Sequence, residues 1–359
     1  MCETAMMAID QKVVFLCGDR AFTLSDLLDA ALFRGELQSA WNNLLRLLAA
    51  EQRADEHQLE CSDETIDAAA ERFRYEHDLI TAEETEQWLT DRGLSLGDFG
   101  AFFVRHYWAE QADTLEPEAQ DYLTAPNEMR ELLVAELILS RELARMAQCF
   151  SWRVAAAREV DGKQVDPDLI AVEKTRFFER TSVPVEMLLD WLTRVGRDES
   201  WFREMLTLEA IFCRDTAALL SPQACEKEMA SLRLPLTRFE IETIELDSLD
   251  AAREAFLCAR DDGLAMEEVA AEGRYPFHHT VVALERIPEN LQQRFLSVHP
   301  GDILEPISQG DTYHVCRIVG KTEPELSDPS VKERAGRQIL DRHLADLTTR
   351  HIQWRLLFA

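Results

Sequence analysis

Arg238-Phe239-Glu240-Ile241-Glu242-Thr243-Ile244-Glu245-Leu246 is the stretch on which the reading of this chain turns. Apolar and polar residues alternate along it with a single slip at Thr243, the period of a half-buried strand. Residues 23–230 read differently throughout, with apolar residues recurring every three or four positions as on packed helices. The pattern changes at Leu234-Pro235-Leu236. Beyond the strand, Asp247-Ser248 opens a helix through Ala251, Ala252, Ala255, Phe256 and Ala259 that stops at Gly263. A second short helix around Met266 to Ala271 follows, then a strand from Thr280 to Leu284, a short helix from Glu289 to Leu296 and a closing strand from Thr312 to Val319. The order β-α-α-β-α-β predicts a small domain on an antiparallel or mixed sheet, and the whole chain is α+β and mostly α-helical.

Toward the N-terminus, Lys12 to Leu16 and the turn Cys17-Gly18-Asp19-Arg20 precede a helix capped by Thr23 or Ser25, with Leu24, Leu27, Leu28, Ala31 and Leu32 as its apolar stripe. A second helix from about Glu36 to Glu51 carries Leu37, Trp41, Leu44 and Leu48. An internal repeat then appears at an offset of 103, relating 62–112 to 165–215. Asp63-Glu64-Thr65-Ile66 corresponds to Asp166-Pro167-Asp168-Leu169, Trp88-Leu89-Thr90-Asp91-Arg92-Gly93 to Trp191-Leu192-Thr193-Arg194-Val195-Gly196, and Phe99 to Phe202. Each copy predicts a capped helix, a short helix ending in Trp-Leu-Thr-x-x-Gly, and an aromatic helix.

The 359 residues are enough for two folding units. Thirty-eight Lys+Arg against 67 Asp+Glu leave a net charge of −29 and a pI near 4.7. That balance argues against nucleic acid and anionic membrane surfaces as partners, because the protein would repel their phosphates. Low Gly and Pro usage, 13 and 12 residues, suits long helices better than a β-sandwich. No apolar run reaches the roughly 20 residues that span a bilayer, so no membrane insertion is expected, and the N-terminus shows no signal-peptide pattern. Eight singly spaced cysteines without a Cys-x-x-Cys argue against structural zinc and a disulfide framework. Reduced thiols in a cytoplasmic protein are the expectation.

Ser330-Val331-Lys332-Glu333 forms a capping box that opens a helix running to the C-terminus. Residues 331–359 hold six basic and three acidic residues and end in Trp354, Leu356, Leu357 and Phe358. Such a helix is poorly solvated alone, so it should fold back on the acidic helical region.

Phe295-Leu296-Ser297-Val298-His299-Pro300-Gly301-Asp302-Ile303-Leu304-Glu305-Pro306-Ile307, followed by Tyr313-His314-Val315, resembles the end of a parvulin-type peptidyl-prolyl isomerase domain. The β-α-α-β-α-β order before it fits the same fold. A helical segment opening with the strand turn Leu16-Cys17-Gly18-Asp19, then this domain, then a returning helix, is similar to the SurA-like and trigger-factor-like chaperones. The resemblance implies a helical SurA-like peptide-binding domain at 1–235, completed by a C-terminal helix at 328–359, and a parvulin-like domain at 236–324. His314 matches the second of the family's two inner-sheet histidines, and Thr243 takes the place of the first. The phenylalanine of the family's proline pocket is met by Leu296, or by Phe295 if the register slips by one, and the methionine a turn earlier by Gln292. Tyr275-Pro276-Phe277-His278-His279-Thr280-Val281-Val282 replaces the family's Asp-Leu-Gly-Trp loop, so its catalytic acid or thiol has no counterpart.

Proline isomerisation needs neither nucleophile nor metal. Its barrier of about 18–20 kcal/mol is amide resonance, and an apolar pocket with polar groups at the carbonyl can favour the twisted state. The expected catalytic residues are His314 and Thr243 on the floor, with Phe295, Leu296, Ile303 and Tyr313 binding substrate. The competing reading makes His314 a satisfied core histidine. No cofactor is implied, and no metal either, since His278 and His279 on a strand point to opposite faces. The aromatics Trp41, Phe99, Phe102, Phe103, Tyr107, Trp108, Phe177, Phe178 and Trp191 form the core or, in part, line a groove for extended peptide. The partner expected is unfolded or extended polypeptide, or a single dedicated precursor peptide in maturation or export. Three functions follow: a chaperone with a weak or inactive isomerase domain, an active isomerase, or a non-catalytic adaptor.

Overall fold

Gly18 takes φ +59°, a left-handed conformation that costs glycine little, and so reverses the chain within Cys17-Gly18-Asp19-Arg20. In the computed structural model, which describes residues 11–112, 120–160 and 165–355, this turn joins strand β1, Val13–Cys17, to strand β2, Arg20–Thr23. The sequence predicts one strand, this turn and then the helix, without a second strand. The second strand has four residues, too few to display a period. The far end of the chain supplies a third: Ile352–Trp354, β7 in chain order, pairs antiparallel with β1, Phe15 opposite Trp354 and Cys17 opposite Ile352. The tail therefore doubles back onto the first strand. It does so through a helix at Pro329–His351 that gives way to this strand, where the sequence suggested a helix to the end. Leu356, Leu357 and Phe358 lie outside the described residues.

The chain divides into two compact units, 1–216 with 344–359, and 217–343. The second is wider than the expected 236–324. It takes in the helix Pro222–Leu232 and most of the C-terminal helix, where Val331 and Ala335 are buried and Arg342 donates to Glu228 at 2.6 Å.

In the first unit, Phe15 stacks on Phe22 at 4.9 Å, and Phe22 meets Phe150 edge-on at 5.4 Å. Helix α1, Leu24–Phe33, starts there because the Thr23 and Asp26 side chains cap each other's backbone N–H groups. Helix α2, Glu36–Glu56, buries Trp41 completely, with its Nε1 donating to the Gln120 carbonyl at 2.6 Å. Two helical triplets follow the same order: α3, α4 and α5 (Asp63–Glu76, Ala82–Asp91, Leu96–Gln111), and α8, α9 and α10 (Pro167–Thr181, Leu188–Val195, Glu199–Leu219). Between them lie α6, Asn127–Leu139, and α7, Glu142–Glu159. In the first triplet Phe73 meets Trp88 at 5.6 Å and Phe99 at 5.2 Å, both edge-on. In the second, Phe177 meets Trp191 at 5.2 Å and Phe202 at 4.9 Å in the same manner. Gly93 and Gly196 end the middle helices, each at φ +76°.

The second unit begins with the end of α10 and α11, Pro222–Leu232, then follows β3 (Arg238–Leu246), α12 (Leu249–Arg260), α13 (Met266–Gly273), β4 (Phe277–Ala283), α14 (Glu289–Ser297), β5 (Ile303–Gln309), β6 (Thr312–Thr322) and α15 (Pro329–His351). The four strands pair antiparallel in the order β4-β3-β6-β5. Strand β5 is a correction to the expected β-α-α-β-α-β order. Its Pro306 disguised it, but β5 is an edge strand with a bulge between Leu304 and Ile307, where a missing N–H is tolerated. The slip at Thr243 also finds its cause. Ile244 and Leu246 pack with α12 and α13 on one face, while Phe239 and Cys316 pack with Phe295 of α14 on the other. A strand covered on both sides buries consecutive residues.

Candidate functional site

Thr243 and His314 lie on neighbouring strands and share a face, because each pairs with a residue two places from the other. Thr243 stands opposite Cys316 on β6 and His278 on β4. His314 stands opposite Glu245 on β3 and Ile307 on β5. They are thus offset by one rung, a separation of about 7–8 Å in such ladders, and each has a partner of its own. The Thr243 hydroxyl is 3.6 Å from the Cys316 sulfur, and both residues are buried. The His314 Nε2 lies 3.2 Å from the Thr312 hydroxyl. Burial pushes the Cys316 thiol up, against smaller opposing effects of Thr243 and the Arg294 charge. This thiol therefore stays protonated and is a poor nucleophile.

The four expected substrate-binding residues divide between the two faces. Phe295, 4% exposed, belongs to the cluster on the Thr243 side and meets Phe239 edge-on at 5.6 Å. Leu296 packs partly buried against the same cluster. Ile303 and Tyr313 join Ile244, Val315 and the α12–α13 residues on the opposite face. Alternation dictates this, since Tyr313 adjoins His314 and Ile303 pairs with Arg317, whose neighbour Cys316 faces the other way. The six residues do not line one pocket. Ile303 and Tyr313 lie on the other face, and the residues that join Thr243 and His314 on theirs are Cys316, Glu245, Ile307 and His278. Of these, Cys316 follows His314 by two positions and is signalled by strand period alone. Gln292 donates to the Ile287 carbonyl at 3.0 Å and serves the helix's entry.

His278 and His279 pair with Thr243 and Glu242, adjacent residues facing opposite ways. His279 Nε2 lies 2.9 Å from the Glu240 carboxylate. Among the described residues no group of three or more His, Cys, Asp or Glu could hold a metal ion, and no helix is long and apolar enough to cross a membrane. Of the nine aromatics singled out in the helical region, Trp41, Phe99, Phe102, Phe103, Phe177 and Trp191 are buried core. Tyr107, Trp108 and Phe178 are half-buried.

No protein-family model matches the sequence, and no curated protein matches it. Among solved structures, the chain is similar to the peptidylprolyl isomerase PrsA of Bacillus cereus, at 15% identity over 56% of this chain and 80% of that one, TM-score 0.33. It is also similar to the foldase PrsA of Lactococcus lactis, at 10% identity over 96% and 95% of the two chains, TM-score 0.26. Two SurA-like chaperones of Campylobacter jejuni, PEB4 and Cj1289, are the subject of a third match, at 8% identity over 64% and 89%, TM-score 0.20. Likeness this remote decides nothing about the site, and the strand order and registers above stand on their own.

Proposed function

We propose that this chain is a polypeptide-binding chaperone whose sheet-bearing unit has the frame of a parvulin-type isomerase with weak or lost activity. The observation that carries this reading is the Thr243–Cys316 contact, one rung away from His314. Favouring a twisted prolyl amide requires polar groups aimed at the substrate. Here the Thr243 hydroxyl is turned to a buried sulfur and the His314 ring is held by Thr312. Two of the expected wall residues face away from both. Binding of extended chain is supported by large apolar side chains left at the surface of the helical unit, among them Ile80 at 70% and Val185 at 62% exposed. The seven described cysteines are free thiols, which supports a reducing, cytoplasmic setting.

The test runs two assays on the full chain: suppression of aggregation of a denatured client, and protease-coupled proline isomerisation. The expected result is suppression at near-stoichiometric ratios without isomerisation above the uncatalysed rate. A rate enhancement that disappears in His314→Ala replaces this reading with an active isomerase. Affinity for one peptide, with no suppression of general aggregation, replaces it with a dedicated adaptor.

A further inference from the structure

The first unit contains a cavity of about 560 Å³ between α1, the turn after α4, α6 and the end of α9. Leu28, Leu94, Val134, Ala135, Ile138 and Val195 give it an apolar floor, and its size falls within the usual range of ligand sites. The charged groups around it are not equally available. Arg92 donates to the Trp88 carbonyl at 3.2 Å and sits 4.0 Å over that indole. Arg130 donates to the Leu123 carbonyl at 2.8 Å and lies over the Tyr122 ring. Asp29 is 2.6 Å from Arg197, and Asp98 accepts from the Ser95 N–H at 2.8 Å. Glu128 and Glu131 remain, three residues apart on one face of α6. No hydrogen bond or ion pair with another described residue engages either of them. The cavity thus combines an apolar floor with two uncommitted carboxylates, in a chain of net charge −29.

From this combination we infer that the cavity binds an extended polypeptide segment in which an apolar side chain is flanked by lysine or arginine. The apolar side chain enters the floor, where burial of its surface drives association. The cationic neighbours meet Glu128 and Glu131. An acidic segment is excluded by the same carboxylates, so the site selects by charge as well as by shape. The inference rests on the chaperone reading and adds the client's chemical class and the place where it is held.

The experiment measures binding of the full-length chain to fluorescein-labelled peptides by anisotropy. One peptide alternates lysine with leucine, a second replaces lysine by glutamate, and a third replaces leucine by serine. The lysine–leucine peptide should bind best, and the glutamate peptide should not compete. Glu128→Gln with Glu131→Gln should weaken the lysine–leucine peptide roughly fivefold at low salt and flatten its salt dependence. Val134→Trp, which fills the floor, should abolish binding while leaving the circular dichroism spectrum unchanged. Equal binding of the lysine and glutamate peptides, or unchanged affinity in both variants, overturns the inference. Aggregation suppression that survives both variants refutes this site and leaves the chaperone reading intact. A wild-type chain that suppresses nothing refutes the chaperone reading itself.

Discussion

The two helical triplets carry the same trio of rings, yet the ring stacked on each central phenylalanine differs. On Phe73 it is its own neighbour His77, at 4.1 Å. Around Phe177 it is Phe33 of α1, stacked at 5.0 Å. Arg197 reinforces the second arrangement by reaching Asp26 at 2.9 Å and Asp29 at 2.6 Å, both on α1. Their middle helices differ as well. Thr81 and Glu84 form a capping box that starts α4 at Ala82. At the same offset the second triplet has Pro184 and Met187, no capping box, and a 3-10 turn at Val185–Met187 before α9. Where the first triplet presents Glu84 and Glu86 to solvent, the second presents Met187 and Leu189, 46% and 61% exposed. The first triplet is tied to α6, where Arg105 and His106 meet Glu136. The second is fastened to the N-terminal helix and at these two positions turns an apolar face outward.

The largest expected break in this comparison is Phe177→Ala. Phe177 is fully buried among Phe33, Trp191 and Phe202, so its removal should cost about 3–5 kcal/mol, the usual range for such a cavity. Phe73→Ala should cost less, because Phe73 is 8% exposed and its partners belong to its own triplet. Denaturant midpoints of the two variants check the order; equality would mean that the α1 contact adds nothing.

A second effect concerns pH. Burial, followed by the Arg141 and Arg92 charges, lowers the His77 pKa from 6.5 to about 4. A base depressed on folding takes up its proton more readily in the unfolded chain, so its presence costs stability as pH falls from about 6.5 toward about 4. The ring is half-buried, and solvent screening limits the loss to about 1–2 kcal/mol. His77→Gln should remove that part of the acid dependence, read as the difference between the two unfolding curves at pH 7 and pH 4.5. The second triplet has Arg180 at the same offset and should show no such dependence.

The smallest effect on stability, under about 0.5 kcal/mol, is expected for Leu189→Glu, a surface change. It should nevertheless lower binding of an apolar dye such as anilinonaphthalene sulfonate, and Glu86→Leu should raise it. If the dye responds to neither, the exposed side chains of the second triplet do not form a continuous patch.

Much of this was legible in the sequence because it is local. Helical periodicity placed the triplets, and Trp-Leu-Thr-x-x-Gly located the ends of both middle helices at glycines that adopt positive φ. Alternation located β3 and β6. What escaped was set by pairing between distant residues. Tyr313 and Ile303 read as companions of His314 until the β5–β6 register turned both to the opposite face. Thr243 looked like a lapse in a one-sided strand until clusters formed on both sides of the sheet. Pro306 hid an edge strand for the same reason, since an edge can be recognised only once its single neighbour is known. The apolar floor of the cavity was hidden too, because Leu28, Val134 and Val195 converge from three separate helices.

The pairing of β7 with β1 has a consequence for biosynthesis. The unit at 217–343 is one uninterrupted length of chain, and all of its strands are made before residue 352. Strand β1 is made before that unit, yet its second partner, 352–354, is made after it. One side of that strand must therefore wait, exposed or sheltered by another protein, until residue 354 has been made. Domains tend to fold as units while the ribosome works, so the unit that starts before the other is completed after it.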